Sequence, residues 1–131
     1  MNSDRKKLIM EADYAWRQLI RAVFNGRCAV CVSLNLPETD EIPACHHILG
    51  RNVAPDARQE PYNGVTLCTL HHIPFAHKKP SEFLEWLKEH LPYQWEWQNN
   101  YVPNCRSRFD AEIQDIINDL KDKREQLLKT T

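Results

Sequence analysis

Asn63-Gly64-Val65-Thr66-Leu67-Cys68-Thr69-Leu70-His71-His72 is the stretch that decides the fold. It opens on a turn-forming Asn-Gly pair and continues through three β-prone residues, Val65-Thr66-Leu67. From Thr69 or nearby a short helix is expected, carrying His71, His72 and, further along, His77. Pro74 fits the first turn of such a helix and would be costly deeper in it. Upstream, Ala44 to Leu49 reads as a second short strand containing Cys45, His46 and His47. Two short strands and a short helix in so small a space predict an α+β fold.

Working outward, Cys28-Ala29-Val30-Cys31 pairs naturally with Cys68-x-x-His71. Each spacing lets two side chains from one tight turn reach the same tetrahedral ion, and three thiolates with one imidazole are a normal zinc set. Cys28, Cys31, Cys68 and His71 are therefore the expected structural zinc ligands. Cys45 competes with Cys68 and His71 for a place in that set, and buried free cysteines are the alternative. Cys105 is assigned no role in the chemistry.

A second constellation is His46, His47, Asn63, His72 and His77. On a strand His46 and His47 point to opposite faces, so one can bind a metal while its neighbour faces substrate. That division suits hydrolysis, because an unliganded imidazole near neutral pKa can take a proton from water beside an ion that clamps a phosphate. The plainer alternative is that these histidines only complete zinc sites or pack in a core.

The chain of 131 residues holds one domain, with 42% hydrophobic and 27% charged residues arguing against general disorder. Residues 27–80 form the expected metal-binding core, with a helix over 8–24 before it and a helical extension over 81–131 after it. In the first helix Leu8, Ala12, Trp16, Leu19, Ile20 and Val23 share a face, and Asn25-Gly26 ends it with Gly26 as a left-handed cap. Ser81 is expected to cap a helix that ends before Pro92, Tyr93 to Tyr101 to be irregular, and Ser107 to Lys129 to be an amphipathic helix. That last helix has Phe109, Ile113, Ile116, Ile117, Leu120, Leu127 and Leu128 on one face, which must cover the first helix or a second copy of itself, as a homodimer. No apolar run approaches a membrane span and no secretory leader is evident, so no membrane partner is expected and the expected compartment is cytoplasmic. The net charge of -1 allows a nucleic-acid partner only through local patches, and positive charge collects in the first helix and around the histidines.

Cys28-x-x-Cys31, then Cys45-His46-His47-Ile48-Leu49-Gly50-Arg51, then Asn63 through His72, resembles the HNH endonucleases, particularly the small phage and bacterial type with a zinc knuckle. The resemblance covers about residues 27–78, with its elements in the family's order. It implies a ββα-metal (His-Me finger) core supported by the knuckle and flanked by N-terminal and C-terminal helices. It also implies a metal-dependent endonuclease that nicks or cuts double-stranded DNA in a bacterial or phage-infected cell. His47 matches the general base, and His46 holds the preceding position, commonly Asp and sometimes His, which ligates the catalytic metal. Asn63 matches the middle residue that braces the loop, and His72 the metal-ligating helix histidine. His71 stands where cysteine is commoner. His77 resembles the additional metal-binding histidine of all-histidine variants, which usually follows its partner by four residues. Here it follows His72 by five, which on a regular helix turns it about 140° away unless Pro74 displaces the turn.

The implied chemistry is single-metal phosphodiester hydrolysis leaving 5′-phosphate and 3′-hydroxyl ends. Arg51, Arg58, Lys78 and Lys79 are candidates to hold flanking phosphates, against the alternative of solvated surface charge. Two protein ligands, His46 and His72, suit magnesium or manganese, whereas a third from His77 favours zinc or nickel. Two non-enzymatic readings stand beside this one: a zinc-stabilised nucleic-acid- or protein-binding module, and an assembly factor acting through the C-terminal helix. No recognition helix for the major groove is evident, so the sequence leaves the DNA target open.

Overall fold

The computed structural model describes residues 2–104 and 106–130, so Cys105 lies outside the described residues. The described chain is α+β, with helices α1 (Ser3–Val23), α2 (Ala29–Ser33), α3 (Thr69–His71), α4 (Pro80–His90), α5 (Pro92–Asn100) and α6 (Asp110–Lys129) around strands β1 (Ala44–His47) and β2 (Gly64–Leu67). None of these helices is long and apolar enough to cross a membrane.

Helix α1 starts earlier than its apolar periodicity requires, because the Asn2 side chain accepts from Arg5 N at 2.8 Å and caps it. It ends as expected: Asn25 and Gly26 take positive φ, and Gly26 N donates to Arg21 O at 2.8 Å. Its buried face is Ala12, Ala15, Trp16, Leu19 and Ile20, while Val23 in the last turn is exposed. Helix α6 lies against this face with Ile113, Ile117 and Leu120 buried. Phe109 and Leu128, expected on the same stripe, are exposed.

The strands pair antiparallel, with Ala44 opposite Leu67, Cys45 opposite Thr66, His46 opposite Val65 and His47 opposite Gly64. Strand β1 is shorter than the expected 44–49 because Asn63 takes over the backbone groups of Leu49, as described below. A hairpin of this size is marginal alone in water. Helix α1 covers one side of it, and α2, α4 and the segment after β2 cover the other, where Val65, Leu67, Phe83 and Leu87 form the second core cluster.

Three local expectations need correction. The helix after Cys68 is not regular: α3 gives way to a π turn over His72–His77, with Lys78 N donating to Ile73 O at 3.1 Å. Pro74 has no N–H and crowds the carbonyl four residues back, so the chain widens by one residue there instead of continuing an α-helix. Helix α4 begins at Pro80, with Pro in its first turn, so Ser81 lies inside it and does not cap it. Tyr93 to Asn100 is helix, since Pro92 presets the first turn of α5, and the chain turns extended at Tyr101, ahead of Pro103.

Gly64 is the closest approach between α1 and the hairpin. A Cβ placed there would meet Trp16 Cζ2 at 2.6 Å and Ile20 Cγ1 at 2.7 Å. Gly64→Ala is therefore expected to cost about 1–3 kcal/mol of stability through overpacking, read as a lower urea midpoint of the metal-loaded protein.

Candidate functional site

Helix α2 opens on Cys28, whose Sγ accepts from Cys31 N at 3.5 Å, so one turn aims both thiols at the same point. Strand β2 delivers Cys68 and α3 brings His71 back over it, while Thr66 Oγ1 ties β2 to the knuckle by donating to Arg27 O at 2.6 Å. The Cys31 and Cys68 sulfurs stand 3.7 Å apart, and His71 Nδ1 lies 3.6, 3.5 and 3.2 Å from the sulfurs of Cys28, Cys31 and Cys68. A tetrahedral zinc with its usual bond lengths requires sulfur–sulfur edges of about 3.8 Å and sulfur–nitrogen edges of about 3.5 Å. These four residues form a metal site of that size. Burial, with the thiols of Cys28 and Cys68 alongside, pushes the Cys31 thiol up to about 12, so crowded sulfurs ionise here only with a cation among them. Cys45 is not part of the cluster: its Sγ faces Arg17 O on α1, and burial raises its pKa.

The strand places His46 and His47 on opposite faces. His46 is buried, its ring set edge-on to those of His72, His77 and Phe83 at 5.2, 5.0 and 5.3 Å. The π turn does what a regular helix would not: His77 Nε2 lies 3.1 Å from His72 Nε2. The three side chains offer nitrogens within 4.8 Å of one another. An ion bound at usual metal–imidazole lengths requires nitrogen–nitrogen edges of about 2.9 to 3.4 Å, depending on its geometry. Burial, then the neighbouring imidazoles, holds His46 down at about 3, and the same causes lower His72, so both rings are neutral at pH 7 and keep lone pairs for an ion.

His47 lies flat on Trp16, with ring centroids 4.2 Å apart and planes 6° from parallel. Gly64, opposite His47 on β2, leaves the space this indole occupies. His47 Nε2 is 2.9 Å from Arg58 O, and since a carbonyl only accepts, Nε2 carries the proton and Nδ1 the lone pair. Burial pulls this imidazole below its ordinary pKa despite that bond, leaving it neutral and basic at Nδ1.

Asn63, completely buried, holds this arrangement. Its Oδ1 accepts from Leu49 N at 2.6 Å, and its Nδ2 donates to Leu49 O at 3.1 Å and Ala57 O at 3.0 Å. The amide thus closes the loop over residues 50–62 and sets the segment whose Arg58 carbonyl holds His47. Arg58's guanidinium is already engaged, bonding both Asp13 oxygens at 2.9 and 2.5 Å. It pins the loop to α1 and is not free to hold a phosphate. Arg51, Lys78 and Lys79 remain at the surface. The residues that sequence reasoning did not find are Asp13 and Trp16, one helical turn apart on α1, and Phe83, which supplies the apolar floor under His46.

Comparison with protein-family models, with curated proteins and with solved structures returns no match to this chain.

Cys28→Ser is expected to lose the knuckle metal and with it the cooperative melt, followed by metal analysis and thermal unfolding. His77→Ala should keep both, yet bind an ion at the three-histidine site at least about tenfold more weakly, since losing even an outer-shell partner costs that much. Equal affinity in a calorimetric zinc titration would exclude His77 as a ligand.

Proposed function

We propose that the chain is a metal-dependent endonuclease of the HNH, ββα-metal type, cutting DNA phosphodiester bonds with His47 as general base. The observation that carries the reading is the His46-His47 pair. One strand sends one imidazole into a three-nitrogen cluster and fixes its neighbour by a single carbonyl, so that the neighbour's other nitrogen is free to take a proton. A site built only for folding has no use for a tautomer-locked histidine beside its ligands.

In this reading the water oxygen attacks phosphorus, the bond from phosphorus to the 3′ oxygen breaks, and 5′-phosphate and 3′-hydroxyl ends result. His47 Nδ1 takes the proton from the attacking water, and the Arg58 carbonyl stabilises the imidazolium that forms. A divalent ion held by His46, His72 and His77 supplies charge stabilisation at the scissile phosphate. Three imidazoles favour zinc or nickel over magnesium and manganese, which prefer oxygen ligands. Asn63 and the Asp13–Arg58 pair act as positioning residues, since they keep the carbonyl in place. Arg51, Lys78 and Lys79 are the cations available to flanking phosphates. Zinc in the four-ligand knuckle is structural, because four protein ligands leave no open position.

The test is cleavage of supercoiled plasmid by chelator-stripped protein whose knuckle zinc has been restored, re-supplied with magnesium, manganese, nickel or zinc. Nicked product that requires added metal is expected, with His47→Ala slower by about 10²–10⁴-fold at unchanged metal content and melting temperature. Uncut plasmid with every ion, from protein that melts cooperatively, would leave the binding-module reading instead.

A further inference from the structure

Helix α5 has no fully buried residue although it carries three large aromatics. Trp95 packs against the core beside α4, with Lys88 over its ring at 4.7 Å. Tyr93 and Trp97 do not join it. With Tyr62 and Tyr101 they line an open groove of about 550 Å³, so three of the chain's four tyrosines face one surface. Tyr93 is 80% exposed and Tyr62 51%. The core does not account for this grouping, because the contact between α5 and the hairpin runs through Gln94, whose Nε2 donates to Tyr62 O at 3.1 Å and Gly64 O at 2.8 Å.

The groove is held in shape before anything binds. Tyr101's hydroxyl bonds the Asp56 carboxylate, and Trp97 leans on Tyr101 with centroids 5.0 Å apart. On the far side of that Tyr101–Asp56 bond is a second depression, of about 230 Å³, whose lining includes Arg5, Arg58, Arg106 and Arg108. Arg106 is fixed by Glu112 at 2.7 Å, and Arg108 by a bond to the Asp56 carbonyl. Aromatic faces therefore adjoin guanidinium groups, while Glu96 on the groove's own lining repels phosphate and directs it to the arginine end. Rings with an open face stack on any nucleobase, but only on one that is not already stacked in a duplex.

We propose that this groove binds single-stranded nucleic acid, stacking an unpaired base on Tyr93 and Tyr62 with the adjoining backbone phosphate at Arg108, since Arg106 is taken up by both oxygens of Glu112. The proposal deepens the nuclease reading, since Tyr62 precedes Asn63 and a strand held there adjoins the loop that fixes His47. It can fail independently of that reading.

The test measures binding by fluorescence anisotropy of labelled oligothymidylate and of a blunt duplex, using the full zinc-loaded chain in a His47→Ala background so that nothing is cut. Single strand is expected to bind at least about tenfold tighter than duplex, with Tyr93→Ala weakening it about fivefold or more and Tyr14→Ala, on α1, leaving it unchanged. Arg108→Gln should flatten the salt dependence of the same binding. Single-strand affinity of Tyr93→Ala within about twofold of the parent, at an unchanged melting temperature, would overturn the proposal, as would equal affinity for duplex. Stacking-dependent binding by a chain whose wild type cuts no DNA would uphold the groove and remove the nuclease. Metal-dependent cleavage with Tyr93→Ala binding unchanged would do the reverse.

Discussion

Four side chains closing on one point, Cys28, Cys31, Cys68 and His71, are the constraint from which the rest of the architecture follows. The hairpin has four residues in each strand and cannot stand by itself. Net stability of an ordinary domain is about 5–15 kcal/mol, whereas a structural zinc contributes about 10–16 kcal/mol in small finger peptides. With zinc held by these four side chains, a term of that size would decide whether the segment between α1 and α4 is ordered at all. Once β2 is fixed at its Cys68 end, its register against β1 places His46 and His47, and the turn after α3 brings His72 and His77 back toward His46.

The two histidines of β1 are then governed by different physics. His46 is held by apolar surroundings and by other imidazoles, which keep it neutral and available to an ion. His47 is held by a chain of polar contacts: Asp13 to Arg58, the Arg58 carbonyl to the imidazole, and Asn63 to the loop on both sides of it. Most of these bonds are only partly buried, so the full cost of an unsatisfied group, about 1–3 kcal/mol, applies at the completely buried Asn63 amide. Trp16 adds a flat wall that restricts the ring to one plane.

Much of this was legible in the sequence because it is local. Cys28-x-x-Cys31 and Cys68-x-x-His71 encode their geometry in three-residue steps, and alternation along a strand separates His46 from His47 whatever surrounds them. The meeting of His72 with His77 was legible only as a condition, since a five-residue step points away on a regular helix unless Pro74 displaces the turn, and the widened turn there meets that condition. Helix α5 was hidden for a related reason: its aromatic, Asn- and Gln-containing sequence shows no apolar stripe, and a single proline sets its start. Asp13, Trp16 and Phe83 act across large sequence separations, through the packing of α1 and α4 on the hairpin, which periodicity does not encode.

The Asn63 amide has a consequence for how such a chain can vary over generations. By joining Leu49 to Ala57 it holds both ends of the loop, so the exposed tip at Arg51, Asn52 and Val53 carries no part of that closure. Lengthening a loop whose ends are already pinned costs little, about 0.6 kcal/mol for each doubling. Insertions at this tip can therefore accumulate and be selected for what they touch, while the imidazole a few residues away keeps its place.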